Sequence, residues 1–435
     1  MDQLKIKGGA SGLRGKITVP GDKSISHRAI ILGALGEGPT EISGCLRSDD
    51  CHRTLEAIRA VGIEIEDGET LRIYGKGLYG LREPGEILDC GNSGTTIRLL
   101  TGVLAGQPFL SLLTGDASLR RRPMDRIVIP LRRMGAEVYG RAQNTLPPLA
   151  VRGGPLHGVR YDSPVASAQV KSAILLAGLF AEGSTTVIEP SRSRDHTERM
   201  LRARGQTVET AGREVTLMPT GSLRADRIAV PGDFSSAAFF IVGALILPDS
   251  DLIIEGVGVN PTRTGLLDAL EGMGAAIEVH PEEESAGEPR ARLHVRTSRL
   301  KGVSLGGDLI PRLIDEIPVL AVAAACAEGK TVIRNAAELR VKESDRIRAI
   351  ATELNRMAIR TEELDDGLVI HGGGTLRGTS CESHGDHRVG MAFTVAGLRA
   401  DQETTISDTA CIQTSFPTFV QTLQDLIPGA VELTR

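Results

Sequence analysis

Six short segments place cations and small polar residues where helices should begin. "PGDKSISHRA" puts Lys23 and Ser24 at such a start, with Arg28 about one turn further on. "DCGNSGTTIRLL" puts Asn92, Ser93, Gly94 and Thr95 there, with Arg98 on the face of Gly94. "SPVASAQVKSA" offers Ser167 and Gln169, while "SRSRDHTER", "RVKESDRIRA" and "HGDHRVG" add Arg194, Lys342, Arg346 and Arg388. A helix N-terminus presents unpaired N–H groups and a partial positive charge, so it holds anions. Basic side chains added to such starts point to a small, multiply anionic substrate bound in a cleft between two domains.

Each segment also has an ordinary reading. Lys342 and Arg346, beside Glu343 and Asp345, could be a solvated ion-pair face. "GNSGTT" alone could be an N-cap turn, and Arg120, Arg121 and Arg122 in "SLRRRPM" a charged loop. Their equivalent places in a repeat favour convergence on one site. Cys381, His384 and His387 in "CESHGDHR" have metal-ligand spacing, but a zinc site needs a fourth ligand or a water, and no matching cluster occurs elsewhere, so no metal is expected. No G-x-S-x-G context supports a hydrolase triad.

The elements that must carry these residues repeat. A Leu-led phrase opens at 13, 81, 156, 223, 300 and 376, at intervals of 67 to 77 residues. Each copy runs into a turn, a small-residue apolar stretch such as "AIILGALGEG" or "VLAVAAACAEG", a β-prone phrase and a more polar helical pattern such as "RTLEAIRAVGIEIE". The unit reads strand, buried helix, strand, surface helix, strand, strand. A helix apolar all round must be covered by neighbours, so single units cannot stand alone. Six such units exceed one core, and two groups of three is the natural division.

"LRGKITVPGDKS" and "LRADRIAVPGDFS" then mark two crossings between domains. The expectation is an α/β protein of two similar domains, residues 1–19 with 233–435 and residues 20–232, with hinges near 20 and 231. Phe234 stands where the first phrase has Lys23, which suits a structural hinge.

Composition excludes several classes. Hydrophobic content of 41% supports real cores, and eight Phe, four Tyr and no Trp make them aliphatic. A net charge of −5 gives no electrostatic reason to bind nucleic acid. The longest apolar run, 237–247, is too short to cross a bilayer, and "MDQLKIKGGASG" lacks a signal-peptide core. Six cysteines without paired spacing fit a reducing compartment. A soluble, cytoplasmic protein with no membrane partner is expected.

Taken in order, "PGDKSISHRA", "GNSGTTIRL", "RRRPM", "RVKESDRI", "DHR" and "TSFP" resemble the 5-enolpyruvylshikimate-3-phosphate synthase family over the whole chain. The resemblance implies two domains of three βαβαββ units that close on substrate. It also implies transfer of the enolpyruvyl group from phosphoenolpyruvate to the 5-hydroxyl of shikimate 3-phosphate, by a monomer without metal or organic cofactor. Lys23, Ser24, Arg28, Ser167, Gln169, Arg194, Asp315 and Lys342 match positions that hold shikimate 3-phosphate. Lys23, Gly94, Arg122, Gln169, Arg346 and Arg388 match positions around phosphoenolpyruvate.

Asp315 in "LIDEIP" and Glu343 in "KESD" match the acid–base carboxylates. Glu343 would protonate C3 and Asp315 would act near the 5-hydroxyl, or the two roles are exchanged. Lys23 would stabilise the departing phosphate or shuttle a proton. Thr414 stands where one branch of the family has Lys, and Gly94 where some glyphosate-tolerant members have Ala. The nearest rival is a UDP-N-acetylglucosamine enolpyruvyl transferase, which typically carries a reactive Cys in the loop equivalent to "SLRRRPM"; this chain has none there. An RNA 3′-phosphate cyclase is more distant, needing a nucleotide-reactive His and a more basic surface. A non-catalytic phosphate-binding protein leaves Asp315 and Glu343 unexplained.

Overall fold

All six apolar stretches are helices: Lys23–Leu35, Gly94–Leu104, Ala168–Gly178, Phe234–Ile246, Ile317–Cys326 and His387–Arg399. The last five residues of the Ala168 helix, all of the Phe234 helix and nine of ten residues of the Ile317 helix are buried, as their all-round apolarity requires. Three of the six start at a Gly-Asp pair. Asp22, Asp233 and Asp386 accept from the main-chain N–H of Ile25, Ser235 and Arg388 at 2.9, 2.7 and 2.9 Å. Such a cap contributes about 1 kcal/mol and fixes where the first turn points. The six polar patterns are helices as well, Asp49–Ala60, Asp125–Arg133, His196–Ala203, Gly265–Gly272, Arg346–Arg356 and Phe419–Leu426.

The structure, a computed structural model, describes residues 2–434. Its chain divides into two compact units. The first takes the chain up to Pro20, Gly232–Glu283 and Pro289 onward; the second takes Gly21–Pro231 and Glu284–Glu288. Each unit has its own hydrophobic core around three of the buried helices, mostly aliphatic in the second and with six phenylalanines in the first. In the second unit the backbones of two of them touch. A Cβ on Gly102 would lie 2.2 Å from the carbonyl oxygen of Ala173, so only glycine permits that approach. Among the described residues no helix is long and apolar enough to cross a membrane.

Among the described residues six four-stranded sheets share one plan, three in each unit. The first strand of a repeat runs parallel to the second, the second pairs antiparallel with the fourth, and the fourth pairs with the third. Leu88–Asp89, Leu110–Thr114, Glu137–Gly140 and Leu146–Arg152 follow it within one repeat. The third and fifth repeats do the same.

The first, fourth and sixth repeats correct the linear reading of the unit. Arg14–Thr18 lies parallel to Asp251–Gly258, with Arg14 opposite Asp251. Arg227–Ala229 lies parallel to Glu37–Ser43, with Arg227 opposite Glu41. Each echoed phrase therefore gives its strand to the other's repeat. The crossings are fastened reciprocally, the Asp22 N–H donating to the Pro231 carbonyl and the Asp233 N–H to the Pro20 carbonyl, both at 2.8 Å. The sixth repeat borrows its fourth strand from the N-terminus. Gln3–Ile6 pairs with both Thr404–Ser407 and Val431–Thr434.

Candidate active site

In the second unit the Gly-Asp turn aims Lys23 at the next helix, where its Nζ lies 3.0 Å from Asp50 Oδ2. Arg28 is 3% exposed and points inward. Its Nε donates to Thr197 Oγ1 (2.7 Å), Nη1 to the Ser24 carbonyl (2.8 Å) and Nη2 to Ser172 Oγ (2.7 Å). Burial lowers the Arg28 pKa to about 10, with Glu198 and Asp22 opposing, so the guanidinium stays charged at neutral pH. His27, bonded to Thr54, is held neutral by burial and by the charges of Lys23 and Arg28.

The starts of the Gly94 and Ala168 helices meet through side chains. Arg98 Nη1 donates to Gln169 Oε1 at 2.5 Å and Nη2 to the Pro123 carbonyl at 3.0 Å, while Gln169 Nε2 donates to Thr95 Oγ1 at 2.9 Å. Arg122 Nη2 donates to Asn92 Oδ1 at 2.6 Å. A Cβ on Gly94 would lie 2.9 Å from Arg98 Nη1 and 3.3 Å from Arg122 Nη1, so two guanidiniums converge on this glycine. Ser167 is the N-cap residue of the Ala168 helix, and its side chain makes no capping bond.

Beneath the segment carrying Arg194 lies a buried ion triad. Lys171 Nζ sits 2.8 Å from both Glu189 Oε2 and Glu198 Oε1 and donates to the Ser193 carbonyl at 3.3 Å. Burial opposes its charge, but the two carboxylates outweigh that and raise its pKa. Ser193 Oγ donates to Glu189 in turn. Nothing in the local pattern of "AQVKSAILL" marked Lys171 as buried. A lone Lys within an apolar helix is the one available signal.

In the first unit Arg346 is the hub. It is 1% exposed, which sets aside the solvated-face reading. Nε donates to Asp386 Oδ2 (2.7 Å), Nη1 to Asp315 Oδ1 (3.2 Å) and Nη2 to Glu343 Oε2 (2.7 Å). Burial disfavours the cation, yet Asp386, Glu343 and Asp315 together raise its pKa. Arg388 Nη1 donates to the Asp315 carbonyl at 3.4 Å, with Nη2 3.7 Å from its Oδ2. Lys342, half-buried, has its pKa lowered by desolvation, against Asp315 and Glu338.

One cation thus holds two partly exposed carboxylates together, and two further cations stand close to Asp315. Asp386 belongs to this cluster, and the sequence signals it only through a third Gly-Asp helix start.

Three other stretches singled out in the sequence have local partners. Thr414 Oγ1 donates to the Cys411 carbonyl within the turn Thr409–Thr414. The following "SFPTF" is anchored by Phe416 and Phe419, whose rings lie 5.9 Å from Phe240. His384 Nε2 is bonded to Glu353 Oε1 at 2.8 Å.

With that geometry in view, the chain compares closely with proteins of known type. The family model "EPSP synthase (3-phosphoshikimate 1-carboxyvinyltransferase)" matches residues 8–423. A 3-phosphoshikimate 1-carboxyvinyltransferase of Geobacter sulfurreducens is 58% identical over 415 residues, 95% of this chain and 97% of that one. One of Desulforudis audaxviator is 58% identical over 419 residues, 96% of this chain and 98% of its own. A solved EPSP synthase of Acinetobacter baumannii superposes with a TM-score of 0.90 at 48% identity, covering all of both chains. The chain belongs to the EPSP synthase family.

Proposed function

We propose that the chain transfers the enolpyruvyl group of phosphoenolpyruvate to the 5-hydroxyl of shikimate 3-phosphate and releases inorganic phosphate. Full-length identity above half to named 3-phosphoshikimate 1-carboxyvinyltransferases supports the reaction. The observation that carries the mechanism is the single buried guanidinium of Arg346 gripping both Asp315 and Glu343.

The reaction needs protons moved twice. The 5-hydroxyl oxygen attacks C2 of phosphoenolpyruvate and loses its proton while C3 gains one, giving a tetrahedral intermediate. C3 then loses a proton, the C2–O bond to phosphorus's bridging oxygen breaks, and phosphate departs. Asp315 is the base beside the 5-hydroxyl, and Glu343 delivers and removes the C3 proton. Their shared cation keeps the two groups in fixed relation, as proton transfer over a short distance requires.

Lys23, placed at its helix start with Nζ 3.0 Å from Asp50 Oδ2, stabilises charge on the leaving phosphate. Ser24, Arg28, Ser167, Gln169, Arg194 and Lys342 hold shikimate 3-phosphate, with Lys171 and its carboxylates fixing the segment that bears Arg194. Gly94, Arg122, Gln169, Arg346 and Arg388 receive phosphoenolpyruvate. Thr414, committed to its own turn, has no part in this set. The protein works as a cytoplasmic monomer, and proton transfer with charge stabilisation suffices without metal or organic cofactor.

Phosphate release from phosphoenolpyruvate tests the reading, with shikimate 3-phosphate and UDP-N-acetylglucosamine as rival acceptors. Release with shikimate 3-phosphate alone is expected. Release with the sugar nucleotide alone would replace the acceptor.

A further inference from the structure

We propose that Arg263 is a positioning residue for Asp315, acting through the neighbouring Glu316; the inference rests on the catalytic reading of Asp315 given above. Arg263 lies in "NPTRTG", at the start of the helix Gly265–Gly272, and is 3% exposed. Its Nη1 lies 3.3 Å from Glu316 Oε1, and its Nη2 donates to Ser235 Oγ at 2.6 Å and lies 3.4 Å from Asp233 Oδ1. Ser235 Oγ donates to the same Glu316 oxygen. Glu316 is itself 1% exposed, so a buried carboxylate is fixed in place by a buried cation.

A second set of contacts fastens the other end of the same stretch. Arg312 Nε donates to the Pro261 carbonyl at 2.8 Å and Nη1 to Asp268 Oδ2 at 2.6 Å. A Cβ on Gly265 would lie 2.9 Å from Arg312 Cβ and 3.0 Å from its carbonyl carbon, so the two segments touch at main-chain distance. Residues 312 and 316 are both tied to 261–268, and Asp315 rides on the short bend they bracket. Adjacent Cα atoms are only about 3.8 Å apart, so a main-chain shift at Glu316 is passed on to Asp315. Arg346 and Arg388 hold the Asp315 carboxylate and carbonyl directly.

This also accounts for the lysine missing from the second phrase. In the first repeat the cation, Lys23, sits on the buried helix and the acid, Asp50, on the surface helix. In the fourth the acid, Asp233, caps the buried helix and the cation, Arg263, comes from the surface-helix start. The reversed pair is buried, and it serves a carboxylate of the protein.

The test compares Arg263→Gln, Arg263→Lys, Glu316→Gln and Asp315→Asn for kcat, KM of both substrates and folded fraction. Misplacing a reacting group by about 1 Å costs on the order of 100-fold in rate. Arg263→Gln and Glu316→Gln should lower kcat per folded molecule by about 10- to 100-fold with both KM values within about 3-fold, and Arg263→Lys should recover most of the loss.

A merely structural pair would lower stability and leave kcat per folded molecule unchanged. That result, with Asp315→Asn inactive, would overturn the inference alone. Wild-type turnover in Asp315→Asn would overturn the Asp315 reading and this inference with it. Should Arg263→Gln not fold, Glu316→Gln, of nearly equal volume, decides the matter.

Discussion

Replacing Gly94 by Ala should weaken phosphoenolpyruvate selectively. The added methyl carbon would sit 2.9 Å from Arg98 Nη1 and 3.3 Å from Arg122 Nη1, whereas ordinary contact begins at 3.4 Å. Arg98 must therefore retreat by about half an ångström and Arg122 by about a tenth, against the close packing of the site. Arg98 cannot retreat freely, because Nη1 is bonded to Gln169 and Nη2 to the Pro123 carbonyl. A hydrogen bond from a charged group contributes about 1.5–3 kcal/mol. Partial loss of one such bond, at about 1–2 kcal/mol, corresponds to a rise of about 5- to 30-fold in the KM for phosphoenolpyruvate.

The KM for shikimate 3-phosphate should rise less, because only Gln169 of the disturbed group also serves that ligand. Stability should hold or rise slightly, since Ala is the better helix former by up to about 1 kcal/mol. Gly85, where a Cβ meets nothing within 4 Å, supplies the control variant. Steady-state kinetics with each substrate varied in turn would measure both effects. An unchanged phosphoenolpyruvate KM, or an equal rise for both substrates, would refute the placement of Gly94 and Arg122 around that ligand.

Two further outcomes follow from the buried charges. Lys171→Met strands Glu189 and Glu198 in the interior, so chemical denaturation should show a loss of about 3–5 kcal/mol, much reduced when Glu189→Gln is added. The His384–Glu353 bond raises the His384 pKa above the ordinary 6.5, against the opposing effect of burial. Its contribution is fully present below pH 6.5 and lost as pH rises through the raised value. The melting-temperature gap between wild type and His384→Asn should therefore narrow from mildly acidic toward alkaline pH; a gap that widens would contradict the pairing.

The helices and their capping were legible because they are local. All-round apolar runs forced burial, and a Gly-Asp pair named three helix starts. The choice of sheet was not legible: reading the two phrases as crossings puts residues 14–18 with 233–435 and residues 227–229 with 20–232, but no side chain says which sheet each joins there. That choice is made by the path of the chain through Pro20 and Pro231. The sixth sheet is equally non-local, since its missing strand lies at residues 3–6.

The site shows the same division. Lys23, Gly94, Gln169 and Arg388 sit at helix starts that the sequence marks. Arg346, with Glu343 and Asp345 beside it, could be read as a surface charge. Its burial is explained by partners 31 and 40 residues away, Asp315 and Asp386. Arg263 and Glu316 each look ordinary in sequence, and their meaning lies in a pairing across 53 residues.

The most direct test of the mechanism is to run the reaction in D2O and examine C3 of the enolpyruvyl product by mass spectrometry and NMR. Protonation of C3 followed by proton loss predicts deuterium in the product methylene from the wild-type protein. Glu343→Gln should bind both substrates, release almost no phosphate and leave the recovered phosphoenolpyruvate free of deuterium. Wild-type product without deuterium would contradict addition followed by elimination, and deuterium exchange at the wild-type rate in Glu343→Gln would contradict the role given to that carboxylate.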